Sequence, residues 1–180
     1  MARKPRRITA PYLQRITSHY LERYTSCRSN LRRLLVKRVH RSAAHHEVDP
    51  EPWLALVELE LDRLERVGLL NDSAYARDRA RSLHRRGSGA RKIRATLQAK
   101  GVSSTHIDEA LEALASEGED PELVAACTYA RKRRIGPWRT RPADDDQRRR
   151  ELARLARAGF PFDLARRIIH AESIEAIEPP

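Results

Sequence analysis

Apolar residues recur every three to four positions along most of the chain, with polar and charged residues between them. This spacing places them on one face of an α-helix, as in the stripe formed by Trp53, Val57, Leu61 and Leu64. No segment of the sequence alternates apolar and polar residues over the length of a β-strand. The pattern therefore predicts an all-α chain of nine helices.

Residues that favour helix ends interrupt these stripes. Pro11 and Pro121 stand in first-turn positions, where the missing proline N–H costs no hydrogen bond, and a glycine follows most of the stripes. Two stretches without the helical spacing, residues 42–48 and 135–143, are predicted to be loops. Eight of the nine helix starts are expected at Thr9, Ser26, Asp49, Asn71, Ser88, Ser103, Asp120 and Pro161.

The sequence also contains a threefold repeat. The segment that starts at Thr9 matches the segment that starts at Asp72, and the segments around Leu34, Leu97 and Leu155 match one another. A single three-helix unit buries little apolar surface, whereas stacked units share a core. We therefore predict three tandem three-helix repeats in an elongated, curved array. The predicted bounds are a basic N-terminal arm at 1–10, repeats at 11–68, 69–118 and 119–172, and an acidic tail at 173–180.

Charge follows the repeat and leaves a large positive excess. The 36 Lys and Arg residues outnumber the 25 Asp and Glu residues, which gives a net charge of +11. Residues 73–101 carry nine basic and one acidic residue, whereas residues 102–125 carry seven acidic and no basic residues. Charge balance between neighbouring helices explains part of this separation. The net excess indicates an anionic partner, and it excludes an acidic, calcium-buffering protein.

The arginines of the middle repeat are the candidate binding residues. Arg77, Arg81 and Arg85 are four residues apart, so they share a helix face and repel one another unless an anion lies along them. A solvated face without a ligand explains the same pattern equally well. The complete set of candidate binding residues is Arg77, Arg81, Arg85, Arg86, Arg91, Lys92, Arg94 and Lys100.

Two local patterns in the same region resemble known nucleic-acid and phosphate sites. Residues 89–111 resemble a helix-turn-helix, but the second helix carries Asp108, Glu109 and Glu112 and no cation. Since phosphates repel an acidic helix, this pattern argues against reading of the major groove. The turn at residues 87–89 could offer N–H groups to a phosphate, although a C-cap followed by an N-cap accounts for it more simply.

The sequence contains no pattern typical of a catalytic or metal centre. His45 and His46 lack further ligands at metal-binding spacing, and the aspartates at 144–146 suit the first turn of a helix. Cys27 and Cys127 are predicted to be small core residues, because neither belongs to a CxxC pair. Trp138 either stacks on a partner or packs on its own repeat. We expect no catalytic residue, no cofactor and no metal.

Nothing in the sequence predicts a membrane or secreted protein. No stretch approaches the ~18 apolar residues of a membrane-spanning helix. The basic start of the chain is not followed by an apolar run, so we expect no secretory signal. The sparse cysteines suit a reducing cytoplasm.

Several segments together resemble the RecX family of RecA regulators. They are Gly-Leu-Leu-Asn-Asp-Ser-Ala-Tyr-Ala at 68–76, Arg-Arg-Gly-Ser-Gly-Ala-Arg-Lys-Ile at 85–93 and Leu-Gln-Ala-Lys-Gly-Val at 97–102. Arg-Ala-Gly-Phe at 157–160 resembles part of the family's last repeat, and the resemblance covers roughly residues 12–170. The chain departs from the family at Ala90, where proline is frequent, and at Asn30, where an acidic residue is usual. The predicted loop at 42–48 is also longer than is typical.

The resemblance implies an all-α cytoplasmic regulator, built of three-helix repeats, with no enzyme activity of its own. It implies that the partner is the RecA filament on single- or double-stranded DNA, whose recombinase and ATPase activities the protein restrains in DNA repair and recombination. The candidate cations would then contact RecA or DNA, and we expect a monomer that needs no membrane. The alternative is a non-specific nucleic-acid-binding protein that acts without RecA.

Overall fold

The computed structural model describes residues 4–118 and 120–177. Within these ranges the regular secondary structure consists of helices alone, which confirms the predicted all-α fold. Residues 1–3 of the predicted arm, position 119 at the predicted start of the third repeat, and residues 178–180 of the predicted tail lie outside the described residues. The helices are α1 (Ala10–Leu21), α2 (Arg28–His46), α3 (Glu51–Arg66), α4 (Asp72–His84), α5 (Ala90–Lys100), α6 (Ser104–Ala115), α7 (Pro121–Arg133), a short 3-10 helix η1 (Gly136–Trp138), α8 (Asp145–Arg157) and α9 (Phe162–His170).

The chain forms two compact units. The first unit comprises the described part of residues 1–75 together with residues 100–102, and the second comprises residues 76–99 and the described residues from 103 onward. In the first unit, α1, α2 and α3 enclose apolar side chains that include Leu31, Val57 and Leu61. In the second unit, α7, α8, α9 and η1 surround a core that includes Phe160 and Ile168.

The core of the first unit contains a charged group that is fully hydrogen-bonded. Glu60 on α3 is buried, and its carboxylate accepts hydrogen bonds from the Thr17 hydroxyl at 2.6 Å and from the Arg63 guanidinium at 2.8 Å. Burial alone would raise the pKa of Glu60, but the hydrogen bonds from Arg63 and Thr17 outweigh it and hold that pKa below its ordinary value. Glu60 therefore stays ionised inside the unit and ties α1 to α3.

Three glycines bring the turn between α4 and α5 against α7 and the end of α8. A Cβ on Gly87 would lie 2.8 Å from the backbone nitrogen of Tyr129, and one on Gly89 would lie 2.6 Å from the carbonyl of Gly159. Gly159 has φ +96°, and a Cβ there would lie 2.5 Å from the backbone nitrogen of Lys92. Because only glycine permits such approaches, the start of α5 lies against α7 and the end of α8.

Four of the eight predicted helix starts are confirmed by side-chain capping bonds. Thr9, Asn71, Ser103 and Asp120 each accept a hydrogen bond from the backbone N–H three residues later. The predicted cap at Ser26 is wrong by one residue, because Cys27 occupies the N-cap position of α2. The hydroxyl of Ser26 instead accepts a hydrogen bond from the Asn30 amide.

The predicted loop at 42–48 is wrong over residues 42–46, because α2 continues to His46, whereas residues 47 and 48 do lie outside the helix. Ser42 and Ala43 are buried, and the N-terminal segment packs on this last part of the helix. The Ser42 hydroxyl donates to the Arg6 carbonyl at 2.6 Å, so a short polar side chain is satisfied inside the fold. The end of α2 has a local composition typical of a loop. Its contacts with the distant N-terminal segment therefore stabilise the helix.

Candidate anion-binding surface

Seven of the eight candidate cations lie in the second unit. Arg77 and Arg81 are on α4, and Arg85 and Arg86 follow its end. Arg91, Lys92 and Arg94 are in the first half of α5. Lys100 is the exception, because it belongs to the first unit, where its Nζ lies 3.4 Å from the amide oxygen of Asn30. The remaining seven are Arg77, Arg81, Arg85, Arg86, Arg91, Lys92 and Arg94.

Carboxylates on neighbouring segments neutralise two of these cations. The Arg81 guanidinium lies 2.7 Å from the Glu117 carboxylate, and that of Arg94 lies 2.6 Å from the Asp108 carboxylate. The acidic helix α6 is therefore partly a counter-charge for α5, as expected from charge balance between neighbouring helices. Arg77 and Arg85 are exposed, and neither pairs with a carboxylate in the described part of the chain.

The turn at 87–89 does not offer free N–H groups to a phosphate. The N–H of Gly87 donates to His84, that of Ser88 to Leu83, and that of Gly89 to Ala158. The turn is thus a C-cap followed directly by the start of the next helix, as the simpler explanation predicted.

The first turn of α5 has its capping group on another helix. The Glu122 carboxylate on α7 accepts the N–H of Ala90 at 3.2 Å. Burial raises the pKa of the Glu122 carboxyl above its ordinary value, although the Ala90 N–H and the charges of His84 and Arg91 act in the opposite direction. The carboxylate thus occupies the place where an anion would meet the helix end.

The glycine contacts bring Lys92 next to cations that are not among the eight candidates predicted from the sequence. Here α5, α7 and α8 enclose a depression of about 550 Å³. Its charged side chains are all basic and exposed, and none forms an ion pair with a described residue. We call this depression the basic pocket. It is lined by Lys92, Lys132, Arg133, Arg134, Arg154 and Arg157, together with Tyr129 and Ala158.

Contacts inside the basic pocket orient some of these groups. The Lys132 ammonium lies 3.4 Å from the Arg86 carbonyl, and the Arg133 guanidinium lies 6.0 Å from the centroid of the Tyr129 ring. Basic residues in the last turns of α7 and α8 also suit the helix dipoles. Lys92 does not suit the dipole of its helix, because it lies in the first turn of α5, where a positive charge is unfavourable. The pocket therefore concentrates positive charge that the fold leaves unneutralised.

The other candidate groups have structural surroundings. His45 and His46 are in the last turn of α2 and not in a loop, and Asp144 caps α8 through the N–H of Gln147. Cys27 and Cys127 are buried, and burial raises the pKa of each thiol. Over residues 4–118 and 120–177, no three His, Cys, Asp or Glu side chains are grouped as metal ligands.

Trp138 packs on the core of the second unit. This contact favours packing within the protein over stacking on a partner. The guanidinium of Arg131 lies 5.9 Å from the centroid of the Trp138 ring. The neighbouring Arg139 is directed inward, where it pairs with the buried Glu151. Among the described helices, none is both long and apolar enough to cross a membrane.

Comparison with known proteins identifies a family whose members resemble this chain. The model of the second three-helix domain of RecX matches residues 71–111. The chain is 40% identical over 168 residues to the regulatory protein RecX of Myxococcus xanthus (strain DK1622), which covers 93% of this chain and 89% of the relative. It is 32% identical over 130 residues to the regulatory protein RecX of Agrobacterium fabrum, covering 72% and 67% respectively.

Solved structures show the same fold. A crystal structure of a regulatory protein RecX aligns with a TM-score of 0.61 and 22% identity, covering 88% of this chain and 70% of that one. The crystal structure of RecX from Lactobacillus salivarius gives a TM-score of 0.59 and 20% identity, covering 84% and 88%. At these identities the similarity concerns the fold.

Proposed function

The chain belongs to the RecX family, and on that basis we propose that it binds the RecA–DNA filament and restrains the recombinase and ATPase activities of RecA. In this proposal the protein acts in the cytoplasm as a monomeric regulator and catalyses no reaction of its own. The observation that supports it most is the basic pocket, whose six cations lack carboxylate partners among the described residues.

The basic pocket and the exposed cations of α4 and α5 provide the contacts in this proposal. Arg77, Arg85 and Arg91 have exposed side chains in the same unit as the pocket. Arginine binds phosphate and carboxylate groups through two parallel hydrogen bonds, so it suits DNA phosphates and acidic faces of RecA alike. Arg81 and Arg94 contribute less, because Glu117 and Asp108 already neutralise them.

The test is the DNA-dependent ATPase of RecA, measured with increasing amounts of this protein. The parent chain should inhibit, and Lys132→Glu combined with Arg154→Glu should need at least about a hundredfold more protein for the same inhibition. Each lost charged hydrogen bond costs about 1.5–3 kcal/mol, and about 1.4 kcal/mol corresponds to a factor of ten. Arg77→Glu with Arg85→Glu tests the residues predicted from sequence. Lys37→Glu with Arg66→Glu makes the same charge change on exposed cations of the first unit and should inhibit as the parent does.

Three outcomes would contradict the proposal. The parent could leave the RecA ATPase unchanged, which would favour nucleic-acid binding without RecA. The pocket variant could inhibit as strongly as the parent, which would remove the basic pocket from the contact. The control variant could lose as much inhibition as the pocket variant, which would make net charge alone responsible.

A further inference from the structure

A second depression lies wholly in the first unit and combines tyrosines with cations. Tyr12 and Tyr20 are on α1, Tyr24 follows it, and all three tyrosines line the depression. Tyr12 and Tyr20 are partly buried against the core. Tyr24 is 59% exposed, and its ring centroid lies 5.3 Å from that of Tyr20 at an interplanar angle of 41°. An exposed ring outside the core contributes little to folding, so it is available to a partner.

Six cations surround these rings. They come from the N-terminal segment, α1 with the residues after it, and α2, and they line a depression of about 710 Å³. None of them lies within ion-pair distance of a carboxylate in the described part of the chain. We call this depression the tyrosine groove. Its cations are Lys4, Arg6, Arg15, Arg23, Arg38 and Arg41.

The walls of the tyrosine groove are held in place by hydrogen bonds. Ser42 anchors the carbonyl of Arg6 at 2.6 Å, and the ring nitrogen of His46 lies 3.2 Å from the Pro5 carbonyl, so the N-terminal segment is fixed against α2. The Arg38 guanidinium donates to the Tyr12 hydroxyl at 2.8 Å. The groove is therefore preformed, which lowers the entropic cost of binding.

Contacts of Arg15 and Glu22 with their neighbours determine which aromatic rings of the tyrosine groove a ligand can reach. The Arg15 guanidinium lies 5.5 Å from the centroid of the Tyr12 ring, so a cation already covers that ring. The Glu22 carboxylate lies 3.8 Å from His19, where both side chains are exposed. The Tyr20–Tyr24 pair is thus the aromatic surface that a ligand can reach, with Arg23 beside it in the sequence.

We propose that the tyrosine groove binds single-stranded nucleic acid, with bases stacked on Tyr20 and Tyr24 and phosphates held by the surrounding cations. Exposed aromatic rings set among cations without carboxylates are the features that single-strand binders share. A duplex keeps its bases stacked inside, so it would leave these rings without a partner. An acidic peptide would match the cations but offers no flat ring system to the tyrosines. This binding does not depend on RecA.

The experiment measures binding of the full chain to a labelled oligothymidylate of about 12 nucleotides, within the ~4–16 nucleotide range of single-strand sites, by fluorescence anisotropy without RecA. Tyr24→Leu should weaken binding about tenfold, because stacking on one ring is lost. Phe162→Leu is the matched control, since Phe162 is an exposed aromatic residue of α9 in the second unit, and it should bind as the parent does. Arg23→Glu with Arg41→Glu should weaken binding and lower the slope of log K against log salt by ~0.7 for each lost contact.

An abasic strand of the same length separates stacking from charge. Tyr24→Leu should bind the abasic strand as the parent does, whereas the double arginine variant should bind it more weakly. Equal binding of the oligothymidylate by Tyr24→Leu and the parent would overturn the proposal, and so would preference for a duplex of the same length. Because RecA is absent from every measurement, such a failure leaves the proposed regulation of RecA untouched.

Discussion

Replacing Arg139 with methionine should destabilise the second unit by several kcal/mol. The guanidinium of Arg139 donates to one carboxylate oxygen of Glu151 at 2.8 and 2.6 Å and to the Ile169 carbonyl at 3.2 Å. The side chain of Glu151 is only 2% exposed. After the substitution, the Gln147 amide at 3.2 Å would be its one remaining hydrogen-bond donor in the described part of the chain.

The expected cost follows from the geometry of this pair. Removing one partner of a buried ion pair leaves an uncompensated charge and costs about 3–5 kcal/mol. Since domains are stable by only about 5–15 kcal/mol, this is a large part of the total. Replacing both residues with apolar ones of similar size removes the buried charge as well. Arg139→Met with Glu151→Leu should therefore recover most of the stability that Arg139→Met loses.

Urea denaturation followed by circular dichroism measures these differences. Arg148→Met is the matched control, because it removes an arginine whose pairing with Asp145 is exposed, and such pairs contribute at most about 1 kcal/mol. A double variant as unstable as Arg139→Met would refute the reasoning, since the cost would then come from lost packing and not from an unpaired carboxylate. Equal losses in Arg139→Met and Arg148→Met would refute it as well.

Three further changes test other parts of the fold. Gly159→Ala should lower stability by more than about 1 kcal/mol because its Cβ meets the backbone of Lys92, whereas Gly68→Ala, also at positive φ but facing open space, should cost less in the same urea titration. Because the pKa of Glu60 is depressed in the folded state, its contribution to stability is complete above the unfolded-state pKa of about 4.5 and disappears as the pH falls through the lower folded-state pKa. Glu60→Gln should therefore lose less stability on acidification than the parent chain does. An equal loss in both proteins would contradict this assignment. Truncation after Gly118 removes α7 with Glu122 and Tyr129, so the remaining chain should melt at a lower temperature and less cooperatively than the full chain, and an unchanged melt would argue against a shared core.

Local signals predicted the helices well. Thr9, Asn71 and Ser103 each cap a helix through the N–H three residues later, an interaction that depends only on neighbouring residues. The stretch at 42–46 was mispredicted because its helical state depends on the N-terminal segment, through contacts such as Ser42 to Arg6. Short polar side chains have no local preference strong enough to decide between loop and helix. The predicted repeat bounds and elongated shape stay predictions, and small-angle scattering can test the latter.

The candidate site was predictable only in part. The sequence identified the cations of α4 and α5, but the pairing of Arg81 with Glu117 and of Arg94 with Asp108 depends on how the helices pack. The basic pocket brings Lys92 together with cations that are 40 or more positions later in the chain, so no local pattern reveals it. The glycines that create this contact were recognised as helix ends, and their close packing needed the structure.

The capping of α5 by Glu122 has a consequence for the order of events during synthesis. Ala90 leaves the ribosome 32 residues before the carboxylate that accepts its N–H. At ~5–20 residues per second, this delay lasts roughly 2–6 seconds. During that time the first turn of α5 carries Arg91 and Lys92 with no acidic residue of its own to offset the helix dipole. All residues of the first unit, which closes at Val102, are therefore made before the cap of α5, which needs Glu122 of α7.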